Sequence, residues 1–140
     1  MKKLSIITAF VAILCFGMTT AMAQNNSPEI NKFVQQYFPQ ADVIFVNSEW
    51  DEYEVRLSDG TQLEFNRSYE WKKIDCEHSN TYSAVPAELI PEQISTYVKT
   101  NFADQSIIKI EKKRRGWEIE LSSEIEIKFN KNFVVTKIDD

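Results

Sequence analysis

Cys76-Glu77-His78 places a thiol and an imidazole two residues apart. On an extended strand that spacing puts both side chains on one side. Such a pair could act as a thiolate–imidazolium couple or supply half a metal site. His78 is the only histidine in the chain, so a serine or cysteine nucleophile needing an imidazole base would have to use it. Zinc would need further ligands, and none stand elsewhere at a suitable spacing. A two-residue spacing also arises easily by chance, and the plainer expectation is a solvated strand end.

Other sources of chemistry are thin. Asp51-Glu52 and Asp139-Asp140 are adjacent acids, not acids facing one another across a cleft as general acid–base work requires. They read as a hairpin tip and a chain end. The chain has three glycines, one of them Gly17 in the apolar N-terminal stretch, so no glycine-rich phosphate loop is present. The expectation is a non-enzyme with no catalytic residues, no metal and no cofactor.

Charge and aromatic residues say more. Glu49-Trp50-Asp51-Glu52 is acidic, whereas Lys112-Lys113-Arg114-Arg115-Gly116 is basic. Both are solvated tips on the plain reading; the functional reading is a polarised edge that steers a partner. Most of Tyr53, Tyr69, Trp117 and Phe133 read as core. Trp50 and Trp71 stand apart as aromatics available to a binding surface. The candidate binding residues are therefore Trp50, Trp71, Lys112, Lys113, Arg114 and Arg115.

These residues are positioned by a repeated pattern. Shifting the chain by 64 residues aligns 27–76 with 91–140 without a gap. Identical pairs include Ile30/Ile94, Val34/Val98, Phe38/Phe102, Glu54/Glu118, Leu57/Leu121, Phe65/Phe129, Asn66/Asn130 and Ile74/Ile138. Matches fall mostly on apolar positions, which is where a shared core would hold them. Each copy opens with a helix. Ile30, Phe33, Val34, Tyr37 and Phe38 form one buried stripe, with Ser27 as N-cap, Pro28 in the first turn and Pro39 as the stop. Ile90, Ile94, Tyr97, Val98 and Phe102 repeat the stripe.

The rest of each copy alternates with a period of two. Tyr53, Val55 and Leu57 interleave with Glu54, Arg56 and Ser58; Trp117, Ile119 and Leu121 interleave with Glu118, Glu120 and Ser122. That is the mark of antiparallel strands with one buried face. Asp59-Gly60 signals a hairpin, and Asn66-Arg67-Ser68 and Asn130-Lys131-Asn132 are the later turns. Val43–Val46 and Ile107-Ile108 begin each meander. The expected fold is α+β: two tandem α-β-β-β-β units joined into one sheet, with the helices on one face. The units span 24–78 and 87–140, and the polar stretch 79–86 links them.

The N-terminus has another role. Lys2-Lys3, the apolar run Leu4–Met18 and Ala21-Met22-Ala23 form the three-part layout of a cleaved secretory signal over residues 1–23. Cys15 would suit a lipoprotein signal, but Leu14 stands where a small residue is needed, and an uncleaved anchor is equally disfavoured. Cleavage before Gln24 removes two lysines, leaving 14 basic residues against 21 acids and a formal charge of −7. Such a surface disfavours nucleic acid as a partner. Cys76 becomes the sole cysteine, so no internal disulfide forms and stability must come from packing.

The order of a helix ending Tyr37-Phe38-Pro39, then Tyr53-Glu54-Val55, Asp59-Gly60, Leu63-Glu64-Phe65-Asn66 and Trp71-Lys72-Lys73-Ile74-Asp75 resembles the PepSY-like, β-lactamase-inhibitor-like proteins exported by Bacteroides-type bacteria. A second copy follows from Val85-Pro86 and Ile90-Pro91. It departs from the pattern at Ser123-Glu124 and at Val135. The resemblance implies tandem α+β units in a periplasmic or secreted protein, and supplies no functional residues. The expected role is binding another envelope protein or a peptide, inhibition of a hydrolase being one version. The alternative is a small-ligand or glycan binder. We expect a monomer without a membrane span after signal cleavage.

Overall fold

A computed structural model describes residues 27–140; the expected signal and its cleavage point lie outside the described residues. The chain begins with helix α1 (Pro28–Tyr37), whose first turn is capped by Ser27 Oγ accepting from the Ile30 backbone N–H. Four strands follow: β1 (Val43–Ser48), β2 (Glu52–Leu57), β3 (Gln62–Asn66) and β4 (Trp71–Asp75). A short 3-10 turn at Ala87–Leu89 leads into helix α2 (Glu92–Asn101). The chain ends with β5 (Ile107–Lys113), β6 (Gly116–Leu121), β7 (Glu126–Asn130) and β8 (Val135–Asp139).

All eight strands form one antiparallel sheet in the order β1 to β8, so every strand pairs with its neighbours in sequence. The halves meet where β4 pairs with β5 through Lys73↔Glu111, Ile74↔Ile110 and Asp75↔Lys109. Cys76 N–H extends that seam by donating to Ile108 O at 2.8 Å.

Period-two alternation decides which face is buried. Val55, Leu57, Leu63, Phe65 and Ile74 face Ile30, Val34 and Phe38, and all are at most 3% exposed. Ile110, Ile119, Leu121, Ile127 and Phe129 join Ile94 and Val98 in the same cluster. Each such side chain contributes about 1.5–3 kcal/mol on leaving water. Aromatic contacts recur in both halves. Phe33 meets Phe65 edge-on at 5.1 Å, and Tyr97 meets Phe129 edge-on at 5.4 Å.

Turn chemistry explains the hairpins. Asn66 Oδ1 accepts from the Ser68 and Glu70 N–H groups, and Asn130 Oδ1 accepts from those of Asn132 and Val134. These bonds hold Tyr69 and Phe133 in the left-handed region, at φ 62° and 60°. At the other hairpins Gly60 takes φ 97° and Glu124 takes φ 70°. Glu124 thus adopts without a glycine the turn that Asp59-Gly60 makes in the first half, at some cost in backbone strain.

The stretch 79–86, read from its polar composition as a linker, is tied down along its length. Ser79 Oγ donates to Asp59 Oδ2 at 2.8 Å, and Tyr82 OH accepts from Gln40 N–H at 3.1 Å. The Tyr82 ring stands edge-on to Phe38 at 5.1 Å, and Val85 N–H donates to Ile107 O. Its polar side chains satisfy backbone groups rather than water alone.

Candidate functional site

With the helices on one face, alternate residues of the eight strands project from the other. Two rows cross the whole sheet in register. One runs Asn47, Glu54, Glu64, Lys73, Glu111, Glu118, Lys128, Lys137; the second runs Phe45, Arg56, Gln62, Asp75, Lys109, Glu120, Glu126, Asp139. Lys109 bridges Asp75 at 3.8 Å and Glu120 at 3.6 Å; Lys73 pairs with Glu64 at 3.6 Å and Lys128 with Glu118 at 3.8 Å. These side chains are mostly half-buried, and Asp75 is buried, but at 3.6 to 3.8 Å the contacts are long, and such pairs at a sheet surface stabilise by about 1 kcal/mol. The rows therefore act as a charge pattern more than as a fastening.

The pattern is uneven. In the first half Glu54 stands directly opposite Glu64, and Glu52 lies beside them. Oxygens of the three carboxylates all fall within 4.8 Å of one another. Like charges placed so are unfavourable unless compensated. Lys72 meets Glu52 at 2.6 Å, and that hydrogen bond raises the lysine's pKa. Asn47 Nδ2 donates to Glu54 at 3.3 Å. Burial, only partly offset by Lys73, raises the pKa of Glu64.

Moving 64 residues along replaces Glu52 by Gly116 and Glu64 by Lys128, while Glu54 becomes Glu118. Glu49 and Asp51 likewise become Lys113 and Arg115. In this second half the outward row Lys113–Gly116–Asn130 has no side chain at its centre. An open hollow of about 380 Å³ lies there, bordered by Lys113, Arg115, Lys128, Asn130 and Thr136, with Glu118 the one acid among the described residues of its lining. The same place on the sheet is an acid cluster in one half and a cation-rimmed hollow in the other.

The six candidate binding residues do not form one site. Trp50 is 88% exposed, at the tip between β1 and β2. Trp71 is half-buried on the helix side, its ring 6.0 Å from that of Trp117, so it is withdrawn from the outward face. Lys112 lies on that inner side too, 4.0 Å from the Trp71 ring centre, and burial lowers its pKa. Lys113 projects outward and pairs with Glu111 at 3.0 Å. Only Arg114 and Arg115 make the turn itself. The basic run is thus divided by strand alternation between the two faces and the tip.

Cys76 and His78 are not brought together. β4 ends at Asp75, the Cys76 thiol is buried, and His78 is exposed with Glu77 3.9 Å away. Burial, with the nearby Asp75 and Asp59 charges, pushes the thiol up to about 12, so it stays protonated and weakly nucleophilic at neutral pH. Outside the six candidate binding residues stand Glu52 and Glu64 in the acid cluster, and Gly116, Lys128, Asn130 and Thr136 around the hollow. The 64-residue alignment carries the signal: Glu52/Gly116 and Glu64/Lys128 are mismatches on adjoining strands.

Comparison with known proteins places this architecture. Residues 51–137 match the family described as "Putative beta-lactamase-inhibitor-like, PepSY-like". Similar solved structures include one from Bacteroides thetaiotaomicron described as a "putative calcium-regulated periplasmic protein". It is 32% identical, with a TM-score of 0.71 over 80% of this chain and 88% of that one. A Bacteroides vulgatus protein of the DUF2874 family, described as periplasmic, is also 32% identical, with a TM-score of 0.71 over 81% and 89% of the two chains. Another periplasmic B. vulgatus protein, of unknown function, is 32% identical with a TM-score of 0.70 over 80% and 90%. No curated protein matches. Among the described residues no helix is long and apolar enough to cross a membrane. The kinship is with periplasmic proteins of unknown function, no enzymatic family is indicated, and the chain belongs to the β-lactamase-inhibitor-like, PepSY-like family of periplasmic α+β proteins.

Proposed function

We propose that this protein is a non-catalytic binding module of the cell envelope that holds another protein or a peptide against the helix-free face of its sheet. One observation carries the reading: two registered rows of mostly polar and charged side chains cross all eight strands, and their charge differs between the halves. A face of fixed side chains on a rigid sheet suits recognition, because little ordering is needed on binding. In this reading the halves 24–78 and 87–140 are diverged copies of one unit. Their cores stay alike while their outward faces specialise. Inhibition of a hydrolase is one form the activity takes.

The test uses mature protein 24–140 as bait in a periplasmic extract, with the captured partner identified and titrated in pure form. Reversing Lys113, Arg114 and Arg115 to Glu should slow association about tenfold at low salt, since steering acts on the on-rate. An on-rate indifferent to both the reversal and the salt concentration would reject this binding face.

A second reading is favoured by a specific observation. One relative is described as calcium-regulated, and Glu52, Glu54 and Glu64 present a carboxylate cluster on the open face. Calcium takes six to eight oxygen ligands. Three carboxylates with water on an open face meet that demand in kind, provided the ion displaces Lys72 and Lys73 from Glu52 and Glu64. Binding would stabilise the fold by mass action, so 10 mM calcium chloride should raise Tm by a few degrees where 10 mM magnesium chloride does not. A Tm that ignores calcium, or a shift that persists in Glu64→Gln, rejects this reading.

A further inference from the structure

We propose that the hollow at the base of the β5–β6 hairpin binds a monocarboxylate attached to an apolar body. This deepens the binding-module reading by naming the chemistry its second half recognises.

The charges around the hollow lead to a single anion. Lys113 is paired with Glu111 at 3.0 Å, and Lys128 with Glu118 at 3.8 Å. Two of the three bordering cations are therefore already compensated by neighbouring acids. Of the three cations that line the hollow, Arg115 alone forms no ion pair or hydrogen bond among the described residues. A phosphate dianion or a polyanion would bring excess charge beside Glu118. A carboxylate brings one, and its planar pair of oxygens matches the guanidinium fork.

A second donor stands nearby. In the first half Asn66 Nδ2 donates to Glu70 at 2.9 Å. At the matching place Val134 replaces Glu70, and no acceptor for Asn130 Nδ2 is found among the described residues. Asn130 Oδ1 is held by two backbone N–H groups, which fixes the amide and hence the direction of its donor. The Gly116 position decides access. With Glu52 in that place, the first half fills the row with a carboxylate of its own, held by Lys72. The second half leaves the position bare and puts Thr136 where Lys72 stands. The site is thus shaped as though the acid of the first half were to be supplied from outside. A volume of about 380 Å³ exceeds what a bare carboxylate needs and leaves room for an aromatic or aliphatic group.

The experiment is a two-dimensional amide NMR titration of mature 24–140. The probes are 4-phenylbutyrate, its neutral amide 4-phenylbutyramide, and an acetylated, amidated Glu-Phe dipeptide, each taken to 50 mM. The expected result is saturable shifts at Arg115, Gly116 and Asn130 with at least one carboxylate and none with the amide. Arg115→Gln should weaken binding about tenfold while leaving the rest of the spectrum and the Tm unchanged, because Arg115 forms no ion pair or hydrogen bond among the described residues. Lys128→Gln gives an independent check from the opposite rim. Shifts with the small acid alone mark the hollow as a metabolite site and count against a peptide ligand. Shifts with the dipeptide support both readings. No shift with either carboxylate, equal shifts with the amide, or full affinity in Arg115→Gln overturns the proposal, whatever the bait experiment yields.

Discussion

The Lys112 ammonium sits 4.0 Å from the centre of the Trp71 ring and 5.7 Å from that of Trp117. Trp117 in turn stacks on Phe133 at 6.2 Å. A cation from the first strand of the second half thus lies over an aromatic from the last strand of the first half. The β4–β5 seam is closed by this contact at one end and by the Asp75–Lys109 pair at the other.

Replacing the cation separates its charge from its packing. Lys112→Met retains an apolar stem of similar length and should cost about 1 kcal/mol, the loss expected for a partly desolvated cation–π contact. Lys112→Ala should cost more, because the stem covering the indole goes as well. Urea unfolding of the two variants checks this. A Lys112→Met midpoint equal to that of the unaltered protein would show that the charge contributes nothing.

The buried thiol of Cys76 makes stability fall in alkali. Its pKa is pushed up to about 12, above the value near 9 of an exposed thiol. The folded state therefore holds the proton more tightly than the unfolded chain. This contribution is fully present below about pH 9 and is lost as pH rises from there towards 12, by up to about 1.4 kcal/mol per pH unit. Urea midpoints of the unaltered protein and Cys76→Ala between pH 8 and 10.5 should converge as pH rises. Parallel curves would contradict the assignment.

Gly116 and Gly60 both occupy backbone that disfavours side chains, but for different neighbours. At Gly116 (φ 153°) an added Cβ runs into the Phe129 carbonyl oxygen across the β6–β7 pair; at Gly60 (φ 97°) it runs into the carbonyl of His78. Both contacts are with backbone, which cannot step aside as a side chain can. Gly116→Ala and Gly60→Ala should each cost at least about 2 kcal/mol. Thermal unfolding that shows either variant within 1 °C of the unaltered protein would refute the strain.

Much of the fold could be read from residue order. The stripe from Ile30 to Phe38 and the alternation from Tyr53 to Leu57 each report a buried face directly, because side-chain direction follows backbone period. The candidate site was less legible, because it depends on register. Glu54 faces Glu64, and Gly116 lies between Lys113 and Asn130, only once the hairpins are aligned. β-bulges at Val43/Phe45, Glu64/Phe65, Ile107/Lys109 and Lys128/Phe129 shift that register. The basic run 112–115 looks continuous in sequence but is split, since alternation turns Lys112 inward over Trp71 and leaves Lys113 outside. Trp71 shares the aromatic character of Trp50, yet it packs on the helix side while Trp50 stands at an open tip.

The strict neighbour-to-neighbour pairing of the eight strands bears on how the chain acquires its structure. Every ladder closes a short hairpin except the β4–β5 seam, which spans the tethered stretch and α2. Low contact order of this kind speeds folding, because each closure needs only a short loop to be ordered. A chain emerging into the periplasm from its N-terminal end can zip β1 to β4 against α1 before the later strands arrive. The growing sheet always offers its newest edge to the strand that follows in the chain.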